Sequence, residues 1–143
     1  MNKGNSFSIN EFLHLYKDKT FIETVEIPKK ITFKEFYSKS NELLNFLTTQ
    51  KLVRGDRILV KMNNCIEYLY IYFASLMGGF IVCPLDPDIK EEKFLKIKKL
   101  LKVQLIIDNQ SQVYFTKGDI FNPDRRINLN NDFLIIHTSG TTG

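Results

Sequence analysis

Apolar positions recur along the chain in two patterns, one helical and one extended. Phe33, Phe36, Tyr37, Ser40, Leu43, Leu44 and Leu47 return at helical spacing, which predicts a helix with one buried side running to about residue 50. Thr32-Phe33-Lys34-Glu35 ahead of it has the spacing of a capping box. Ser8-Ile9-Asn10-Glu11 has the same spacing, and Phe12, Leu13, Leu15 and Tyr16 supply an apolar face, so a short helix opens the chain. From Thr20 to Glu26 apolar and polar residues alternate, as in an extended segment.

The middle of the chain changes character. Arg54-Gly55-Asp56 reads as a turn, and Ile58-Leu59-Val60 is an unbroken apolar run, as expected of a strand covered on both faces. Asn64-Cys65-Ile66-Glu67 is placed to cap a helix with apolar positions at Ile66, Leu69, Tyr70, Phe73, Leu76 and Met77, ended by Gly78-Gly79. Phe80 to Cys83 follows as a strand stopped by Pro84. Strand, helix and strand at these lengths make a βαβ unit, whose crossover is almost always right-handed. Lys90 to Lys102 is a second helix, with Phe94, Leu95, Ile97, Leu100 and Leu101 on one side. Val103 to Ile107 is a further strand, Gln112 to Phe115 an extended stretch, Lys117 to Asn131 a polar loop, and Phe133 to Ile136 the last strand. The expected fold is α/β: a partial parallel sheet with helices on both faces.

Composition narrows the function without naming it. The 143 residues, 43% hydrophobic and 25% charged, suit one folded domain and argue against disorder. Apolar runs are broken well short of the roughly 18 residues that cross a bilayer, and Met1 to Ser8 lacks the apolar core of a secretory signal. The expected location is therefore the cytoplasm, with no membrane partner. The net charge of +4 reads as spread along the chain, with no basic, aromatic-laced patch for nucleic acid. A lysine-rich amphipathic helix such as Lys90–Lys102 suits a membrane or a calmodulin-like partner, but such a helix more often lies on a sheet with its solvated face outward, as expected here. Cys65 and Cys83 both lie in apolar surroundings and read as reduced, buried thiols. Arg54-Gly55-Asp56 is also the tripeptide of adhesion ligands, a reading set aside for an intracellular chain.

The chemistry concentrates at the end. The last strand runs into His137 and then Thr138-Ser139-Gly140-Thr141-Thr142-Gly143. Glycines let several backbone N–H groups converge, and hydroxyls add donors, so such a loop suits phosphate oxygens. Its place fits too, because ligands of open α/β sheets bind beyond the carboxyl ends of the strands. Thr/Ser/Gly runs also form ordinary loops. Gly140 and Gly143 are too close together for a Walker A loop, and there is no G-x-G-x-x-G.

Thr138 to Gly143 resembles the first half of T-S-G-[ST]-T-G-x-P-K-G, the signature of adenylate-forming (AMP-binding) enzymes: acyl-CoA synthetases, luciferases and peptide-synthetase adenylation domains. Further landmarks precede it in the family's order. Ile31-Thr32-Phe33 is similar to its I/L-T-Y/F opening, Gly55-Asp56-Arg57-Ile58 to its G-D-R-V turn, and Asn63-Asn64 to the stretch after the first strand. Leu76 to Pro87 resembles its L-x-A-G-A-x-x-x-P-L-D/N-P segment.

The resemblance implies the first subdomain of the family's large N-terminal domain over residues 1–143, truncated within the phosphate-loop signature and without the C-terminal domain. It implies a parent enzyme that activates a small carboxylate with ATP and Mg2+, forms an acyl-adenylate, and passes the acyl group to CoA or to the phosphopantetheine of a carrier protein. By position, Thr138, Ser139, Gly140, Thr141, Thr142 and Gly143 would hold the β- and γ-phosphates. No catalytic residue and no metal ligand are expected among the residues present, since the family's lysines, Mg-binding segment and ribose-binding Asp lie further on. The stretch alone is expected to be inactive and to self-associate through surface that later residues would cover. Three departures stand out: His137 where many members have Tyr, Gly78 for a common Ala, and Cys83 for Val or Tyr. Three assignments stay open on the residues: a truncated adenylating ligase, a non-catalytic nucleotide-binding or interaction fragment of the same fold, and an unrelated α/β domain with a fortuitous tail.

Overall fold

A computed structural model describes residues 6–25, 27–109, 126–128 and 130–136. Its elements, in chain order, are β1 (Ser6–Ser8), α1 (Ile9–Tyr16), β2 (Thr20–Thr24), β3 (Lys29–Thr32), α2 (Phe33–Thr49), β4 (Arg57–Lys61), α3 (Ile66–Gly78), β5 (Ile81–Leu85), α4 (Glu91–Leu101), β6 (Leu105–Asp108) and β7 (Arg126–Asn128).

The centre is a parallel sheet of order β5-β4-β6. Alternation along β4 divides the core between the two sides of that sheet. Ile58 and Val60 join the large cluster built by α1, α2 and α3, while Leu59 faces the smaller cluster of Ile97, Leu85 and partly buried Phe94 and Leu101. Helices therefore cover both faces, as the apolar run in β4 requires. The chain segment after β7 extends the sheet: the Val82 amide donates to the Phe133 carbonyl at 2.9 Å, and the Ile135 amide to the Val82 carbonyl at 2.9 Å. Leu134 thus bridges Val82 in parallel. The expected strand at Phe133–Ile136 is this single bridge, without a longer ladder.

Local chemistry explains the boundaries. At the start of α2 the Glu35 amide donates to Thr32 Oγ1 at 3.2 Å and the Thr32 amide to Glu35 Oε2 at 2.8 Å, a complete capping box. Ser8 caps α1 more loosely, accepting from the Glu11 amide at 3.5 Å. The expected cap of α3 moves by one residue: Cys65 is its N-cap and makes no side-chain bond. At its far end Gly79, with φ 73°, takes the left-handed position, and the Phe80 amide closes onto the Ser75 carbonyl at 2.9 Å.

Other expectations are corrected. β3 was not anticipated; it forms a hairpin with β2, with Glu23 opposite Lys30. Part of the expected loop at Lys117–Asn131 is strand, since β7 pairs with β1 through Phe7 and Ile127. The extended segment expected at Gln112–Phe115 lies outside the described residues. Pro84 does not stop β5, which runs through it to Leu85. Val82 directs both backbone groups toward residues 133 and 135, so Pro84, two residues on, points its missing N–H the same way and the ladder to β4 loses nothing. α3 buries Tyr70, Ile71, Ala74, Ser75 and Met77, so only part of its expected stripe faces the core; Leu69 stays 44% exposed. On α4 only Ile97 is buried. Cys83 is buried as expected, but Cys65 is exposed.

Candidate functional site

Three parallel strands of order β5-β4-β6, with β4 first in sequence, place a change of connection direction between β4 and β6. The carboxyl edge at that point is where open α/β sheets take ligands. Here β4 ends at Lys61 and β6 at Asp108, and with Asn109 and Pro87 they line a polar cleft of about 250 Å3. Asn109 Oδ1 accepts from the Asn63 amide at 3.0 Å, tying the loop after β4 to the end of β6. The turn after β5 is set by Asp86, whose Oδ1 accepts from the Asp88 amide at 2.8 Å. Lys61 Nζ lies 5.4 Å from the centre of the Phe94 ring, which holds the long cation along the α4 side.

Phe133–Ile136 runs parallel to β5, so it delivers the chain to the same edge. Thr138, Ser139, Gly140, Thr141, Thr142 and Gly143, together with His137, lie outside the described residues. What the structure shows is the approach to them: Val82 anchors residues 133 and 135 immediately before the Thr/Ser/Gly run.

Although Cys65 is exposed as a residue, partial desolvation of its thiol pushes it up, offset in part by the Tyr68 backbone N–H, and burial raises Cys83. Tyr68 donates to the Val60 carbonyl at 3.2 Å and is pushed up to about 12, first by burial and then by neighbouring Tyr72 and Cys65. Among the described residues no group of three His, Cys, Asp or Glu side chains could hold a metal ion. None of their helices is long and apolar enough to cross a membrane.

Lys61, Asp108 and Asn109 were missed in the sequence. Their signal was a polar residue closing each apolar strand, which acquires meaning only once the strand order is known.

The sequence profile of the family described as AMP-binding enzyme matches residues 10–143. The chain belongs to the AMP-binding enzyme family. Members similar to it include bacitracin synthase 1 of Bacillus licheniformis, 30% identical over 118 residues, covering 79% of this chain and 2% of that protein. A 2-succinylbenzoate–CoA ligase of Bacillus cereus is 27% identical over 141 residues, covering 90% of this chain and 29% of the ligase. The AMP-binding chain thus spans less than a third of these relatives. Solved structures share the fold. The N-terminal subdomain of Klebsiella oxytoca NpsA, in complex with 3-hydroxybenzoyl-AMSN, superposes with a TM-score of 0.76 at 18% identity, covering 94% of this chain and 37% of that one. O-succinylbenzoate coenzyme A synthetase from Bacillus subtilis, in complex with ATP and magnesium ion, gives 0.67 at 15% identity, covering 76% and 29%.

Proposed function

We propose that residues 1–143 are the first part of the N-terminal domain of an AMP-forming acid–thiol ligase, whose phosphate loop is Thr138–Gly143. One observation carries this: in a chain of the AMP-binding family, the Thr/Ser/Gly run directly follows the segment that Val82 pins in parallel at the sheet's carboxyl edge. The donor set suits the group it would hold. Hydroxyls of Thr138, Ser139, Thr141 and Thr142 and the backbone N–H groups that Gly140 and Gly143 leave accessible are all donors, matched to phosphate oxygens. Bound there, ATP with Mg2+ supplies an electrophilic phosphorus for a small carboxylate; the loop's task is to orient the phosphates and stabilise charge as pyrophosphate leaves.

The acceptor is a thiol, on CoA or on a carrier protein's phosphopantetheine. Relatives divide between these: the Bacillus cereus enzyme is named as a CoA ligase, another relative in Bacillus cytotoxicus as a D-alanyl carrier protein ligase. The setting is the cytoplasm, where ATP and both acceptors are found. ATP–pyrophosphate exchange by the longer polypeptide, screened over small carboxylates, tests the assignment; no exchange with any acid by a folded protein would leave the non-catalytic alternative.

The 143-residue chain alone should give no exchange. It should also self-associate through an open apolar groove of about 320 Å3 among Phe21, Phe36, Leu69, Tyr72, Phe73 and Leu76. A carboxylate-dependent exchange signal, or a monodisperse monomer in light scattering at high concentration, would contradict these expectations.

A further inference from the structure

The chain's positive charge is far less evenly distributed than the composition suggests. Lys90–Lys102, which is α4 with its two flanking residues, holds six lysines against two glutamates. That surplus equals the whole chain's net +4, so everything outside this segment is neutral on balance. The helix turns Phe94, Ile97 and Leu101 toward the sheet and leaves all six lysines exposed. Two leucines stand out among them, Leu95 at 52% and Leu100 at 74% exposure. One lysine is partly neutralised, with Lys96 Nζ 2.6 Å from Glu92 Oε1.

The arrangement of the leucines decides what kind of anionic surface fits. Five residues at about 100° each put Leu95 and Leu100 about 140° apart around the helix. Lys96 and Lys99 project between them. A flat bilayer cannot take both leucines at once while meeting that lysine ridge, and a nucleic-acid backbone offers the leucines nothing. A protein surface with an acidic centre and apolar shoulders meets both features.

We propose that the outer face of α4 is a docking surface for an acidic protein partner, Lys96 and Lys99 meeting carboxylates between Leu95 and Leu100, and Lys93 extending the positive surface beyond Leu100. This is independent of the phosphate-loop assignment, because it uses no residue of the sheet's carboxyl edge.

The test titrates the intact 143-residue chain against two fluorescent probes, an amphipathic glutamate–leucine peptide and polyglutamate of equal charge. Changing Lys93, Lys96 and Lys99 together to Gln should weaken binding of both by about tenfold at low salt. Lys17, Lys19 and Lys34 changed together to Gln alter the net charge equally and should weaken it less than about twofold. Leu95→Ser with Leu100→Ser should cost about fivefold for the leucine-bearing peptide and nothing for polyglutamate. Circular dichroism confirms the fold of each variant. Equal losses from the two lysine triplets, no binding of either peptide, or tighter binding to phosphatidylglycerol vesicles or duplex DNA than to the peptide would each overturn the proposal.

Discussion

Gly78 and Phe80 share one space: a Cβ built on Gly78 would sit 2.8 Å from Phe80 Cδ2 and 2.9 Å from Leu44 Cδ1. The segment that resembles the family's L-x-A-G-A has Gly and Phe where that pattern has two alanines. Volume removed at residue 78 reappears as the ring at residue 80, which is 2% exposed. Gly78→Ala should therefore destabilise by about 1–3 kcal/mol through overpacking, despite the better helix propensity of alanine. Phe80→Ala should cost about 3–5 kcal/mol through the cavity. The double variant should be more stable than the sum of the two losses predicts, a coupling that urea unfolding of all four proteins measures.

Arg57, in the Gly55-Asp56-Arg57 turn, serves architecture. Its Nη1 donates to the Leu101 carbonyl at 2.7 Å, and its amide to Gln104 Oε1 at 2.7 Å, joining the start of β4 to the end of α4. Arg57→Ala should lower stability by about 2 kcal/mol, the usual worth of a charged hydrogen bond. Hydrogen exchange should show the last turn of α4 opening sooner, while α2 keeps its protection. Uniform loss of protection would mean that the bond does not act locally.

Acid should loosen the start of α2. Hydrogen bonds from the Thr32 backbone, then from its side chain, hold the Glu35 carboxyl below its ordinary 4.5. A carboxyl with a depressed folded value stabilises the fold above its unfolded value, and that stabilisation is lost as pH falls through the folded one. The urea midpoint should therefore decline below about pH 4.5. Glu35→Gln, which keeps a hydrogen-bonding oxygen, should flatten that part of the profile. An unchanged profile would remove Glu35 as its source.

Within the longer polypeptide, Thr141→Ala or Thr142→Ala should slow adenylate formation by about two orders of magnitude, equivalent to roughly 3 kcal/mol of lost charge stabilisation. Thiol attack on a supplied acyl-adenylate releases no pyrophosphate and should be nearly unaffected. Gly140→Ala should impair both steps less selectively, since it alters the turn itself. Single-turnover kinetics of the two half-reactions separate these cases. Equal losses in both halves for the threonine variants would make the loop a structural one.

Much of the fold could be read in advance because it is written locally. Phe33 through Leu47 bury the side that their spacing announces, and Ile58-Leu59-Val60 needs cover on both faces whatever lies beside it. The pairing of Phe7 with Ile127 had no such signal: three-residue strands far apart in sequence acquire their structure from each other. α3 misled for the opposite reason. It is apolar nearly all round, so periodicity could not separate the core residues Ile71 and Ala74 from Leu69, which looks outward. Thr138–Gly143 could be put forward as a phosphate site from residue types alone, whereas the cleft of Lys61, Asp108 and Asn109 is a product of strand order.

Pro84 removes a donor from the sheet edge along which the chain approaches the Thr/Ser/Gly run. After the Ile135 amide reaches the Val82 carbonyl, the next donor on that side of β5 would be the amide of residue 84, and proline has none. Among the described residues the Ile135–Val82 bond is the last rung on this side of β5, which therefore offers one donor fewer than an ordinary strand.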